Sequence, residues 1–413
     1  MQTPAAPDAR DASSMIGIAV LLALLAMIGP FSIDTYLPAF PAMGAALQAT
    51  PVQIQQTLTA YLLPFALMML WHGAISDALG RRRVILFGLA VYTLASLLCA
   101  LANRLELLLL GRVLQGLSAG AGTVIGRAVI RDLHEGPSAQ RLMAHVSMMF
   151  AIAPAIAPIL GGWLHGLLGW QAIFFFLALF GGCLWLAVLL RLPETLPAEV
   201  RQPLHPLTLW YAYREVFADR AFVGLSLALA FNFNGMFLYV LSAPVFLIQH
   251  LQLTPQDFAW LFLPSVIGMM LGSFLSGRLA GRLNSRRTIL SGYLLMGVAS
   301  LCNITVNLLL PPSLPWMILP LPLYTIGMAM TVPSLQLLAL DRHPQRRGLA
   351  SSCQGLIQTS LTVFSAAILA PLLWATPLLL ASGMAASMLC SLGSFSIACR
   401  MTTDHSKGNQ PPQ

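Results

Sequence analysis

Lysine is almost missing from this sequence: the 22 basic residues are Arg except for Lys407, which lies in a polar C-terminal stretch ahead of Gly408. A phosphate-binding P-loop requires a Lys after its glycines and before a Ser or Thr, so the chain holds no P-loop nucleotide site. Charge of either sign is scarce as well. Only 9% of the 413 residues are charged and 57% are apolar, against roughly 25% charged in ordinary globular proteins. That is too little charge to hydrate the surface of two or three soluble domains. The formal net charge of +8 does not read as nucleic-acid binding, because no segment could form a soluble domain with a basic face. The six cysteines (Cys99, Cys183, Cys302, Cys353, Cys390, Cys399) fall in or beside apolar runs without a CxxC spacing, which argues against a zinc site or a disulfide framework. The eight histidines stand singly. His72, His134, His205, His343 and His405 are expected in or beside polar loops or tails, and His145, His165 and His250 near helix ends. No metal site and no other cofactor is expected from them.

What the chain has in abundance is apolar runs of about 20 residues, the length that crosses a bilayer. Twelve are present, at approximately 14–36, 54–76, 84–102, 105–127, 142–164, 170–190, 221–247, 257–279, 288–310, 314–339, 348–373 and 377–399. The first is too long, and lacks the following small-residue site, to be a cleaved signal. The expected fold is an all-α integral membrane protein with twelve transmembrane helices in two six-helix halves. Its parts are a tail (1–13), a first bundle (14–190), a linker loop (191–220) rich in Pro, a second bundle (221–399) and a second tail (400–413). Every basic residue except Arg104 and Arg112 falls in the termini or in the loops that follow even-numbered spans. Positive charge favours the cytoplasmic side, so both termini and the linker are expected there.

The halves echo each other. Gly73–Arg83 (GAISDALGRRR) follows the second span and Gly277–Arg287 (GRLAGRLNSRR) follows the eighth, and RRVIL returns as RRTIL half a chain later. Duplication about a midpoint linker is how many secondary transporters are built, with the substrate site between the halves near the midplane.

The chain is identified as a member of a known family by four motifs in order on the matching spans. Gly73, Asp77, Gly80, Arg81 and Arg82 resemble the G-x-x-x-D-[RK]-x-G-[RK]-[RK] loop of the major facilitator superfamily, with Ala78 replacing the usual basic residue. Arg112, Gln115 and Gly116 resemble the R-x-x-Q-G motif of its proton-coupled members. Ala157, Pro158, Gly161 and Gly162 resemble the G-P-x-x-G-G antiporter motif, with Ala in place of the first Gly. The stretch Ile33–Pro41 (IDTYLPAFP) resembles the Bcr/CflA drug-resistance subfamily. The resemblance covers nearly the whole chain and implies the major facilitator fold, first and fourth spans lining a central cavity, and drug:proton antiport.

Physical roles stand beside these likenesses. Asp77, after the second span, can meet arginines or the positive end of a neighbouring helix and so latch the cytoplasmic side, with Arg81 and Arg82 as partners. In the fifth span Pro154 and Pro158 remove backbone hydrogen bonds, and small residues spaced by four permit close helix approach. Packing alone accounts for that stripe; a gating role is what the resemblance adds.

Two ionisable residues lie well inside spans, where a charge costs about 2.5–3.5 kcal/mol on insertion scales and therefore faces a cavity or a partner. Asp34 and Arg112 are both placed on the order of 6–12 Å below the outer boundary at 1.5 Å per residue, so the two are able to meet. A low-dielectric cavity disfavours a charged carboxylate and a guanidinium favours it. Asp34 is accordingly the expected proton carrier, with Arg112 tuning it; a plain buried salt bridge is the bland alternative. Glu106 and Asp257 near the outer helix ends are the fallback carriers. The second half offers amides and aromatics: Asn232, Phe233, Asn234, Phe237 and Tyr239 on the seventh span and Gln336 on the tenth, joined by Tyr36 and Tyr61 in the first half. An apolar, aromatic cavity with few polar groups suits moderately lipophilic molecules, while the same amides also serve to glue helices.

The expected activity is therefore proton-coupled efflux of lipophilic small molecules or drugs by alternating access, through a monomer in a bacterial inner membrane. The alternatives are a proton symporter or an exporter of a specific metabolite such as a sugar, nucleoside or amino acid. An enzyme would need clustered nucleophiles or acid–base pairs, which the sequence does not offer.

Overall fold

Without water in the bilayer core, a spanning backbone must satisfy its own polar groups, and the chain does so with helices throughout. The computed structural model describes residues 9–133, 136–201, 204–279, 282 and 284–408. The expectations for His134 and for the terminal residues 1–8 and 409–413 lie outside the described residues, as do those for the side chains of Arg10, Arg141, His145, His405 and Lys407.

The first half contains α1 (Ala9–Asp34), α2 (Phe40–Leu47), α3 (Pro51–Leu79), α4 (Arg81–Ala100), α5 (Leu105–Leu133), α6 (Gly136–Leu168) and α7 (Gln171–Arg191). The connection holds α8 (Pro206–Ala218). The second half contains α9 (Arg220–Leu241), α10 (Ala259–Leu279), α11 (Ser285–Leu309), α12 (Pro320–Leu340), α13 (Arg347–Phe364), the short α14 (Ala370–Leu373) and α15 (Pro377–Gly408). Among the described residues eleven helical stretches are long and apolar enough to cross a membrane, and the Ile152–Leu168 part of α6 is a shorter apolar helix. Together they are the spans of the twelve-helix fold.

Two details depart from expectation. The first span does not stop at 36: a 3-10 turn at Leu37–Ala39 leads into α2, making one apolar path Gly17–Leu47 of 31 residues. Pro38 and Pro41 sit in first-turn positions, where a missing N–H costs nothing, so they redirect the helix without ending it. The linker is also structured. Pro206 opens α8, whose Tyr213 hydroxyl donates to the Leu70 carbonyl at 2.7 Å while Val216 is buried.

The packing repeats between halves as the duplicated sequence requires. In the first half α3 packs on α5, α4 on α5 and α7, and α1 on α5, α6 and α7. In the second, α10 packs on α12, α11 on α12 and α15, and α9 on α12, α13 and α15. Across the halves α3 meets α13, and α6 meets α10.

Candidate functional site

Asp34 closes α1 and is buried, at 4% exposure. Its Oδ1 has no hydrogen-bond partner, and no ion pair forms on it among the described residues. Arg112, counted from Leu105 at 1.5 Å per residue, lies about 10 Å into its helix. Among the described residues Asp34 and Arg112 form no ion pair, although Tyr36, two residues on from Asp34, packs on the Arg112 guanidinium.

The Arg112 guanidinium is instead held by aromatic faces and amides. It lies 4.4 Å from the Tyr36 ring centroid and 4.5 Å from that of Tyr61, where the ring quadrupoles attract a cation. Its Nε donates to the Thr57 carbonyl at 3.3 Å and its Nη1 to Gln115 Oε1 at 2.8 Å, while Nη2 is left without a partner. Tyr36 is fixed in turn, its hydroxyl 3.3 Å from Thr57 Oγ1 and its ring against Phe40 and Phe174. From Gln115 a polar thread continues: Nε2 donates to Ser96 Oγ at 2.7 Å, and Ser96 Oγ donates to the Tyr92 carbonyl. The Tyr92 hydroxyl lies 2.7 Å from Ser32 Oγ, half a turn before Asp34. Thr57, Ser96, Tyr92 and Ser32 went unnoticed in the sequence. The available signal was a pair of polar residues four apart, Tyr92 and Ser96, which with Thr93 interrupt an apolar span.

The motif glycines have steric reasons. A Cβ on Gly116 would overlap the Tyr61 carbonyl, one on Gly161 the Thr35 carbonyl, and one on Gly162 the Pro255 carbonyl. Gly116 thus sets α5 against α3 at the Arg112 box, and Gly161 sets α6 against the chain beside Asp34. Gly162 brings α6 against the entry to α10 in the other half. Pro154 and Pro158 lie inside α6 without breaking it.

At the arginine-rich end Asp77 pairs with Arg81 one turn on. Arg81 Nε also meets Asp132 Oδ2 at 3.1 Å, and its Nη1 donates to Ser76 Oγ at 2.6 Å. The Arg81 backbone N–H donates to Glu194 Oε1 at 2.8 Å, so a linker carboxylate caps α4. Gly80 makes the turn at φ +100°, and a Cβ there would strike Glu194. Arg82 Nη2 donates to the Leu189 carbonyl at 2.6 Å. Gly73 faces Val124 on α5 with room for a Cβ. The cluster is internal to the first half and the linker. Asp132 and Glu194 were missed because they are far from the motif in sequence.

In the second half the amides are largely committed to neighbouring helices. Asn232 Nδ2 donates to Thr331 Oγ1 at 2.6 Å, Asn234 bridges Ser387 and Ser365, and Asn303 Nδ2 donates to the Tyr239 hydroxyl at 2.8 Å. Phe233 and Phe237 stack at 5.2 Å and are half-buried, as is Gln336. Asn232 Oδ1 and the Tyr61 hydroxyl are buried without partners. His72, expected at a loop, is a correction: α3 runs on through Leu79, leaving His72 at 3% exposure with its ring against Gly120. Of the fallback carriers, Glu106 is exposed and Asp257 caps its own turn, accepting from Thr254 Oγ1 at 2.6 Å.

Comparison with known proteins accords with this architecture. An uncharacterized MFS-type transporter, YdgK of Bacillus subtilis, is 33% identical over 344 residues, covering 83% of this chain and 85% of the relative. The bicyclomycin resistance protein homolog of Haemophilus influenzae is 27% identical over 90% of this chain and 92% of its own. Multidrug resistance protein D of Escherichia coli is 26% identical over 83% and 86%. Among solved structures, the D-xylose-proton symporter superposes with a TM-score of 0.71 at 13% identity, over 91% of this chain and 97% of that one. Residues 22–366 match the Major Facilitator Superfamily, and with a relative one-third identical over most of its length, the chain belongs to that family of membrane transporters.

Proposed function

We propose that this chain is a proton-driven exporter of lipophilic small molecules, working as a single chain with its arginine-rich end in the cytoplasm. The observation that carries this reading is the state of Asp34. A carboxylate in mid-span is placed at energetic cost, and here that cost is not offset by an ion pair. The intramembrane cation Arg112 is engaged by Tyr36, Tyr61, Thr57 and Gln115. Asp34 is therefore free to gain a proton from one side and lose it to the other as the halves rock about it. Relatives named for bicyclomycin and multidrug resistance support drugs as the cargo.

In this mechanism proton and cargo exclude each other. A protonated Asp34 lets the vacant carrier close; deprotonation toward the cytoplasm readies the cavity for cargo, and reprotonation from outside expels it. Arg112 does not carry the proton, since guanidinium stays charged in proteins; it fixes a positive potential that the thread through Gln115, Ser96 and Tyr92 links to the helix of Asp34. The half-buried Phe233–Phe237 stack, Gln336, Asn232 Oδ1 and the Tyr61 hydroxyl are the groups left to touch cargo. Asn234 and Tyr239 act as helix fasteners. The packed glycines Gly161 and Gly162 let α6 slide between α1 and α10, and the Asp77–Arg81–Asp132 cluster holds the cytoplasmic loop in shape between cycles.

The test is proton movement in everted membrane vesicles carrying the full-length chain. Adding a lipophilic drug should dissipate a pre-formed proton gradient, and Asp34→Asn should remove that response. Drug-independent gradients in the wild type would remove the basis for antiport.

A further inference from the structure

At the arginine-poor end, α2 and the first turns of α3 face the helical turn Pro244–His250 that follows α9, and Trp374 after α14. Between them lies a cavity of about 200 Å³. Phe40, Ile54 and Val245 line it with Trp374, and among the described residues no Asp, Glu, Lys, Arg or His contributes to the wall. Gln55 also lines it, at 1% exposure, with neither its Nε2 nor its Oε1 hydrogen-bonded. The contact of Phe40 with Tyr36, 5.0 Å between ring centroids, separates this cavity from the Arg112 box.

We propose that this cavity is a second binding site, for a small uncharged molecule that carries an amide-type donor and acceptor on a flat apolar body. A buried polar group without a partner is destabilising, and Gln55 leaves one donor and one acceptor in that state side by side, shielded at the cavity wall until a turn of the side chain brings them to a ligand. A carboxamide, lactam or urea answers both at once, because its own donor and acceptor have the complementary spacing. Ions are disfavoured, since the wall has no charge to offset their desolvation. The volume lies below the usual 300–1,000 Å³ of drug-sized pockets, so the ligand is a single substituted ring and not a typical multidrug cargo.

The walls belong to both halves: Phe40, Ile54 and Gln55 to the first, Val245 and Trp374 to the second. Opening this side pulls them apart. A ligand that requires both walls binds the closed form and, through its differential affinity, shifts the population toward that form. Occupancy therefore holds this side shut and slows the cycle without competing for the central cavity.

Benzamide is a suitable probe, with benzoate and benzylammonium as charged counterparts of the same shape. Saturation-transfer NMR on the purified full-length protein in nanodiscs should show benzamide contact and little from either ion. Gln55→Leu keeps the bulk and removes both polar groups; Ala45→Trp fills the cavity from its exposed rim. Either should weaken benzamide binding by about tenfold or more, the effect of roughly 1.4 kcal/mol. If Gln55→Leu does not fold, Ala45→Trp decides. Equal signal in wild type and variants, equal signal from the ions, or no benzamide signal in the wild type would each overturn the site, the last meaning that water alone occupies it. For the lock, a Pro255→Cys variant lacking the native cysteines should react more slowly with an impermeant maleimide when benzamide is present. An unchanged rate would overturn the closing effect. None of these readouts depends on drug or proton transport.

Discussion

The Tyr36 ring centroid lies 4.4 Å from the Arg112 guanidinium carbon, two residues along the chain from Asp34. That places the intramembrane cation against the segment that bears the intramembrane anion without pairing the two. Cation–π contacts of this kind contribute on the order of 0.5–2 kcal/mol, more when desolvated. Tyr36→Phe should therefore retain most transport, whereas Tyr36→Leu should lower turnover by about tenfold, the equivalent of 1.4 kcal/mol. Arg112→Lys should not rescue Arg112→Ala, because an ammonium cannot reproduce the planar fork that spans Thr57 and Gln115. Gradient-driven efflux by the four variants at matched expression checks this; full activity in Arg112→Lys would show that only the charge matters.

Gly162 offers a test of the contact between halves. Its missing Cβ makes room for the Pro255 carbonyl, and forcing a methyl into a packed interface costs typically 1–3 kcal/mol. Gly162→Ala should leave each half folded but disfavour closure at the arginine-poor end. The variant should be monodisperse in detergent, transport poorly, and expose a cysteine placed at Thr35 to external reagents faster than the parent. Slower labelling would contradict the assignment.

Gly80 is set at φ +100° with the Glu194 carboxylate where a Cβ would stand. With ψ at 145° the position lies in a region almost reserved for glycine, where a side chain costs on the order of 1–3 kcal/mol, and here it also displaces the carboxylate that caps α4. Gly80→Ala should lower the melting temperature of the purified protein and cut turnover more than cargo affinity. Glu194→Gln should reproduce part of the turnover loss without the strain.

Asp219 caps α9 through the backbone N–H groups of Ala221 and Phe222, and Arg342 Nε donates to it at 3.0 Å. Burial would by itself push this carboxyl up, but the Arg342 hydrogen bond, the Phe222 N–H, the Arg342 charge and the Ala221 N–H outweigh it and hold it below the ordinary aspartate value. The unfolded chain titrates near 3.9. The stabilisation is thus present above that value and is lost as pH falls through the lower folded value. Asp219→Asn keeps an N-cap residue and removes the charge, so its melting temperature should lie below wild type at pH 7 and converge with it on acidification below about 4. Parallel curves would show that the charge does not matter.

The spans, the midpoint linker and the repeat were legible because each rests on local features: apolar length, proline clusters and a recurring RR-x-IL stretch. The Arg112 box was not, since nothing in spacing says whether a buried cation meets a carboxylate or two tyrosines; only the packing of α5 on α3, set by Gly116 against Tyr61, decides it. The first span was ended too early because Pro38 and Pro41 read as a stop, although proline is tolerated in the first turn of a new helix. His72 read as a loop residue for a similar reason: the nearby Gly73, Asp77 and Gly80 looked like the start of the loop, while the helix runs on to Leu79.

Asp34 remains the residue on which the coupling reading stands. Its carboxylate is buried beside the Gly161–Thr35 contact, and the Ser32–Tyr92 hydrogen bond fastens the preceding turn to α4. Replacing it by Asn preserves shape and neutrality and removes the exchangeable proton. A neutral drug has no charge to lose by that change, so it should still bind Asp34→Asn within about threefold, a difference of roughly 0.6 kcal/mol. Drug-induced proton movement, by contrast, should vanish. Asp34→Glu, which restores a titratable group one methylene further out, should recover part of it. A cationic drug separates the remaining possibility, in which Asp34 only recognises positive cargo. In that case Asp34→Asn would lose cationic transport alone and move protons with neutral drugs at the wild-type rate. Measuring both drugs in the same vesicles distinguishes a proton carrier from a cation receptor, and persistence of the neutral-drug flux would assign the proton to another group.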